Sequence, residues 1–252
     1  VGMPTAGRAA VVVDRALALS PMGSKAVRSR DGAIVTELLP DRSLADSMVP
    51  APAQSPWTAG VDEVGRGALF GPVVAAAVIL TAEAESDLRA LGVRDSKQLS
   101  ARQRQALVEP IRDRAVAWAI AEASVAEIDQ LNILQATFLA MRRALEQLHP
   151  RPDRCLVDGN RPIPNLFCPQ ETLIQGDRQS IAIAAASILA KVHRDQQIID
   201  CAAQYSGYDL AANKGYGTAA HRAALQTLGP TPLHRRSFAP CQLTLNLNGV
   251  PG

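Results

Sequence analysis

Residues 60–72 read Gly60-Val61-Asp62-Glu63-Val64-Gly65-Arg66-Gly67-Ala68-Leu69-Phe70-Gly71-Pro72. An apolar run ends in two adjacent acids, and a glycine-spaced arginine follows at once. Adjacent carboxylates on an otherwise buried strand are unfavourable unless a cation neutralises them. Strand alternation sends neighbouring side chains to opposite faces, so at least one of Asp62 and Glu63 points inward. The stretch reads as a metal site beside an anion-reading loop, in which glycines let the backbone approach a ligand and Arg66 grips a phosphate. A plain tight turn is the alternative for Gly65-Arg66-Gly67. A dinucleotide fingerprint is excluded, because the next glycine is Gly71, one position late for G-x-G-x-x-G, and a strand rather than a helix follows.

Outward from this stretch, residues 57–65 and 72–80 read as two strands joined by the glycine-rich turn. Helices are expected over 84–91 and 100–114, the second with Ser100 as its cap. Residues 115–124 alternate as a third strand. Ile128, Leu131, Leu134, Phe138, Met141 and Leu145 carry helical spacing through 125–148. A short strand at 155–157 ends at Asp158, and another at 172–175 ends at Gly176-Asp177. Ile181, Ala184, Ile188, Val192 and Ile199 mark one face of a long helix. Hairpin-linked strands followed by strands alternating with helices predict an α/β fold, a mixed central sheet flanked by helices.

The composition of the 252 residues supports that class: 47% are hydrophobic, enough for a full core, while aromatics make up only 4%. Helices then pack on the sheet through small side chains. A formal charge of +2 is too small to mark a nucleic-acid binder by itself. From Lys191 onward, however, six Lys or Arg face three acids, with three histidines besides. The cysteines at 155, 168, 201 and 241 form no C-x-x-C pair or zinc-type cluster, which suits a reducing cytoplasm. Apolar runs such as 73–80 are strand-length, far short of a membrane span, and the pattern of a secretory signal is poor. The expected protein is cytoplasmic, monomeric and free of membrane association. Residues 1–56 read as a mostly disordered extension. Its opening valine raises Met22 or Met48 as an alternative start. Residues 57–204 are expected to form the catalytic domain, and 205–252 a helical substrate-binding segment and tail.

Asp62, Asp158 and Asp177 each follow an apolar strand-like run and precede a glycine or polar break. Functional groups gather where strands end in open α/β sheets. With Glu63 these acids form an oxygen-only set suited to a hard divalent ion such as Mg²⁺ or Mn²⁺. Taken singly, Asp158-Gly159 is also a turn and Asp177 also a helix cap. Lys97, in Asp95-Ser96-Lys97, and the segment Lys214-Gly215-Tyr216-Gly217 add cations and an aromatic. A tyrosine on a glycine-flexed loop stacks on a sugar or base while nearby cations hold phosphates. His221, His234, Arg235 and Arg236 are expected to extend that basic face.

Together these motifs resemble bacterial ribonuclease HII. The match comprises Asp62 to Gly67 with Phe70-Gly71-Pro72, Asp95-Ser96-Lys97, Leu156-Val157-Asp158-Gly159, Gly176-Asp177 with the run 180–195, and Lys214 to Gly217. It covers residues 57 to about 240 in the family's order. The resemblance implies an RNase H-like fold and a divalent-metal-dependent endonuclease acting on the RNA strand of RNA–DNA hybrids and on single ribonucleotides in duplex DNA. It implies Mn²⁺ or Mg²⁺ as cofactor, two ions when substrate is bound. By position, Asp62, Glu63, Asp158 and Asp177 correspond to the four metal-binding catalytic carboxylates. Gly65, Arg66 and Gly67 correspond to the loop that senses the ribose 2′-hydroxyl, and Tyr216 to the residue that stacks at the RNA-to-DNA junction. Ribonuclease HIII usually has threonine where Arg66 stands. The carboxy-terminal segment from Thr244 lacks a clamp-binding aromatic pair, so no sliding-clamp partner is claimed. A ribonuclease HI, a junction resolvase and a non-catalytic hybrid-binding module are the rival readings.

Overall fold

The computed structural model describes residues 57–242 and, before them, only the short strands β1 (Val27–Arg28) and β2 (Ile34–Val35). These two pair antiparallel. The expectation of an unstructured extension over 1–56 otherwise falls outside the described residues, as does the tail from 243. The described residues from Trp57 onward form one compact unit, and no described helix is long and apolar enough to cross a membrane.

That unit is built on a five-stranded sheet of order β5-β4-β3-β6-β7. The strands are β3 (Thr58–Val64), β4 (Val73–Ile79), β5 (Ala117–Ala123), β6 (Arg154–Asp158) and β7 (Gln170–Leu173). β3, β4 and β5 run antiparallel to one another, while β6 lies parallel to β3 and β7 parallel to β6. The mixed sheet expected from the sequence is therefore present. Every residue of β4 is buried, because helices cover both faces.

On one face, Ala59, Val61, Val73, Ala75 and Ala77 meet α4 (Ile133–Glu146) through Ala136, Ala140, Met141 and Leu145. On the other, Val74, Ala76 and Val78 meet α5 (Ile181–Cys201), with α1 (Ala82–Ala90) and α2 (Ala101–Arg114) beside it. Burying a Leu, Ile or Met side chain contributes about 2 kcal/mol, but the alanines contribute mainly by letting helix and sheet approach. Gly60 takes this furthest. A Cβ there would lie 2.4 Å from the backbone of Ala182 and Ile183, so only glycine allows α5 to rest on β3.

Three boundaries differ from the sequence expectation. The helical pattern over 125–148 is interrupted at Asn132, whose φ is 71°, giving α3 (Val125–Leu131) and α4. The Asn132 side chain accepts the N–H groups of Leu134 and Gln135, so it caps the second helix. Hydrophobic spacing carries on across the break because both helices bury a face. β7 begins at Gln170 and ends at Leu173, because Gln175 turns left-handed into the 3₁₀ turn Gly176–Arg178. In α5, Ile199 is exposed and Ile198 is buried instead. There the buried face has turned from the sheet toward the carboxy-terminal segment.

That segment contains α6 (Leu210–Asn213) and α7 (Ala219–Leu228). Its Tyr208, Leu210, Leu225 and Cys241 form a third cluster with Ile198, Leu69 and Phe70. The chain between β3 and β4 is thus anchored from below by the carboxy-terminal segment.

Candidate active site

Val61 and Val157 are register partners in the parallel pair β3/β6, so Asp62 and Asp158 follow them at the same level of adjacent strand ends. Asp177 lies in the 3₁₀ turn beyond β7, where the N–H of the preceding Gly176 donates to Asp158 Oδ1 at 2.7 Å. Ser180, not Asp177, caps α5. Asp62 lies on the α5 side and Glu63 reaches the α4 side. Glu63 lines a second hollow with Leu134, Thr137, Phe138 and Met141. Asp62, Glu63 and Asp158 share the wall of a cavity of about 260 Å³ with Ser96, Lys97, Arg104, Ser187, Lys191 and Tyr216. Asp177 stands outside that lining, bonded to Asp95.

Charge is concentrated here. Burial above all, then Glu63 and Asp158, lift the Asp62 carboxyl well above the usual carboxylate range, against hydrogen bonds from Ser187 and the Glu63 amide. Burial raises Glu63 too, against the pull of Arg66, whose Nη1 lies 3.1 Å from Glu63 Oε1. Asp177 is raised by burial, then by Asp95 and Asp158, and eased by Lys97. Asp95 shows the opposite balance. Burial raises it, but bonds from the Lys97 N–H, Arg178, Gln98 and Asp177 outweigh that and hold it low. Interacting carboxyls whose ionised forms are disfavoured together suit a divalent cation through their all-oxygen chemistry.

Among the described residues no three His, Cys, Asp or Glu side chains are gathered closely enough to enclose an ion. The oxygens are engaged within the protein: Asp62 Oδ1 accepts the Glu63 N–H at 2.7 Å, Glu63 takes Arg66, and Asp158 takes Gly176. The sequence brings Asp62, Glu63 and Asp158 together, with Asp177 alongside, but the ligand cage is not preformed.

The loop 65–67 borders the acids. Gly65 has φ 91°, and a Cβ there would meet Arg194 Nε at 2.1 Å. Gly67 differs: a Cβ there meets nothing within 4 Å, so it leaves room on the open side. Arg66 is half exposed. A bridge between Ala68 and Tyr216, with Leu69 N–H donating to Gly215 O at 2.8 Å, ties this loop to the tyrosine loop. Lys191 Nζ and Arg194 Cζ lie 5.4 and 5.5 Å from the Tyr216 ring centre. Lys97 is exposed at the cavity. Lys214 is not part of the cavity wall, because its ammonium folds back onto the Ala211 carbonyl.

The expected basic face is corrected in part. His221, His234 and Arg235 are completely buried and only Arg236 is exposed. The two imidazoles meet at 3.0 Å through their Nε2 atoms, and burial lowers both, His234 to about 4. His234 Nδ1 accepts the Thr231 N–H, and His221 Nδ1 faces the Tyr216 carbonyl at 3.0 Å. Neutral rings satisfy this chain as donor to acceptor throughout. Sequence reading also missed Ser96, Arg104, Ser187 and Lys191. Ser187 and Lys191 interrupt the Ala/Ile run of α5 one turn apart, which was the available signal. Ser187 and Ser96 hydroxyls lie 2.8 Å apart, and Arg104 donates to the carbonyls of Ser96 and Leu99.

Comparison with known proteins follows the same outline. The sequence profile of the Ribonuclease HII family matches residues 59–241. A Ribonuclease HII of Acaryochloris marina is 60% identical over 187 residues, covering 74% of this chain and 94% of that protein. The crystal structure of ribonuclease H2 from Pyrococcus horikoshii superposes with a TM-score of 0.65 at 25% identity, covering 76% of this chain and 98% of that one. Bst-RNase HIII, solved in complex with Mn²⁺, shares the fold with a TM-score of 0.63 at 21% identity, covering 78% of this chain and 71% of that one.

Proposed function

The chain belongs to the ribonuclease HII family and is an endonuclease of the ribonuclease H class, and from that premise we propose that it cuts the RNA strand of RNA–DNA hybrids and nicks duplex DNA 5′ of a single embedded ribonucleotide. The products carry 5′-phosphate and 3′-hydroxyl ends, and the work served is removal of misincorporated ribonucleotides and RNA primers in the cytoplasm. The observation that carries this reading is the shared cavity. Three acids at strand ends open onto the same space as Lys97, Lys191 and Tyr216, beside the loop 65–67.

Asp62, Glu63, Asp158 and Asp177 would hold Mg²⁺ or Mn²⁺, and the ions supply activation of the attacking water and neutralisation of charge on the phosphate and leaving oxygen. The chain's own residues do the rest. Substrate entry would displace the internal bonds of Glu63 to Arg66, freeing the guanidinium for a phosphate. Lys97 and Lys191 attract the polyanion to the acids, which would otherwise repel it. The backbone beside Gly67 has room to meet the ribose 2′-hydroxyl, the group that separates RNA from DNA. Tyr216, flanked by two cations, offers a stacking face at the junction with DNA. Its Gly215 and Gly217 neighbours bring that face close to the loop 65–67.

The test is a nicking assay on otherwise identical duplexes carrying none, one or several ribonucleotides, with Mg²⁺ or Mn²⁺. Cutting of the single-ribonucleotide duplex and sparing of all-DNA is the expected result. A need for several ribonucleotides, or equal cutting of all-DNA, overturns the substrate assignment.

A further inference from the structure

Arg194 on α5 and Arg235 near the carboxy terminus are both completely buried. Neither lies within ion-pairing distance of a carboxylate among the described residues. Enclosing a guanidinium without a counter-charge is unfavourable, and well-packed apolar side chains commonly serve a fold as well or better. Among the described residues the hydrogen bonds of both arginines all go to main-chain carbonyls, and the carbonyls they take are those of the two loops at the cavity.

Arg194 donates from Nε to Pro72 O at 3.0 Å, from Nη2 to Phe70 O at 2.9 Å, and from Nη1 to Lys214 O at 3.0 Å. One planar group thus joins the 65–72 loop to the Tyr216 loop, and its Cζ also lies 5.5 Å from the Tyr216 ring centre. Arg235 donates to Gly71 O at 2.9 Å, Arg66 O at 2.9 Å and Pro72 O at 3.1 Å. It therefore holds the middle and the end of the first loop from beneath. The glycines complete the arrangement. A Cβ on Gly65 would strike Arg194 Nε at 2.1 Å, and one on Gly215 would lie 2.7 Å from Phe70 O and 3.5 Å from Arg194 Nη2.

The geometry points to Arg194 and Arg235 as positioning residues that lock the loop 65–67 and the Tyr216 loop at a fixed separation, and selectivity for a lone ribonucleotide depends on that separation. The inference rests on the reading of these two loops as substrate contacts. Five N–H donors in a rigid fork fix several carbonyls at once, which a lysine cannot do. The two positive charges under the loops, neither in a direct ion pair, also favour the phosphates that would lie over them.

Arg194→Lys and Arg235→Lys keep the charge and lose the fork. For each, kcat/KM is measured on a duplex with one ribonucleotide and on a uniform RNA–DNA hybrid. The expected result is a loss on the single-ribonucleotide duplex larger than that on the hybrid by roughly tenfold or more. Equal losses on both substrates overturn the positioning role and leave a purely structural one. If wild-type protein spares the single-ribonucleotide duplex, the assigned substrate fails rather than the arginines' part in it. A second measurement needs no variant: the Nε–H resonances of both arginines in the wild-type protein are followed on adding uncleaved duplex in Ca²⁺. Larger shifts with the single-ribonucleotide duplex than with all-DNA support the proposal, and identical responses overturn it.

Discussion

Asp158 Oδ1 accepts the N–H of Gly176 at 2.7 Å, tying the turn that bears Asp177 to the end of β6. A Cβ on Gly176 would sit 2.7 Å from Ile183 Cδ1 and 3.2 Å from Asp158 Oδ1. Gly176→Ala therefore forces Ile183 to repack and crowds Asp158 and the Leu173 Cβ. Overpacking of this kind destabilises by about 1–3 kcal/mol. Turnover is expected to fall further, by roughly tenfold, because the Asp158 carboxylate is shifted from its place beside the other acids. Steady-state kinetics beside a thermal melt check this, and a variant that loses stability but keeps wild-type kcat contradicts it.

On the proposed reading Asp62 is needed for activity, while its buried carboxyl weighs against the metal-free fold. Its folded carboxyl is held well above the usual range by burial and its acidic neighbours. A raised carboxyl stabilises the fold while protonated, an effect fully present below the unfolded value of about 3.9. That contribution is lost as pH rises through the folded value. Asp62→Asn is expected to abolish nearly all cleavage yet, with chelator present, to melt higher than wild type at pH 8. The difference should shrink as pH falls toward 4. Melting curves over that range decide it, and a variant melting below wild type at pH 8 runs against the account.

Glu127 titrates with the opposite sign. Hydrogen bonds from Arg143 at 2.6 and 3.1 Å, then from Ser124, hold it down to about 2. A lowered carboxyl stabilises above its unfolded value and loses that contribution as pH falls through the folded one. The pair is partly exposed, so screening limits its worth. Glu127→Gln should destabilise by about 1 kcal/mol at pH 7, and the gap should close as pH approaches 2. Urea unfolding at several pH values measures it, and a gap independent of pH excludes the linkage.

The Tyr216 ring lies against Lys191 and Arg194 of α5 at the cavity's edge. Tyr216→Ala removes a stacking face worth about 1–3 kcal/mol. Cleavage at a single-ribonucleotide junction is expected to fall by roughly tenfold or more relative to uniform hybrid. Parallel rate measurements on the two substrates suffice, and proportionate losses remove the stacking role.

Much of this molecule was legible in its sequence because local patterns and tertiary structure agree. Apolar runs ending in Asp62 and Asp158 do become adjacent parallel strands, and Ser100 does cap α2 with Gln103 completing the box. Most of what failed depended on contacts far apart in the chain; the break at Asn132 did not, since its cap bonds reach only Leu134 and Gln135. Asn132 breaks a hydrophobic pattern that continues on both sides of it. The basic look of His221, His234 and Arg235 gave no sign of their burial, because their partners are backbone groups, the Thr231 hydroxyl and, for each histidine, the other. Ser187 was hidden among alanines and isoleucines, and only the packing of α5 on β3 brings it to Asp62.

The most direct test is calorimetric titration of Mn²⁺ into wild type and into Asp158→Asn, each with an RNA–DNA hybrid bound under conditions that prevent cleavage. Saturable binding by wild type that is lost or weakened at least tenfold in the variant is the predicted result. Equal affinity in both proteins would contradict the claim that the strand-end acids together hold the cation.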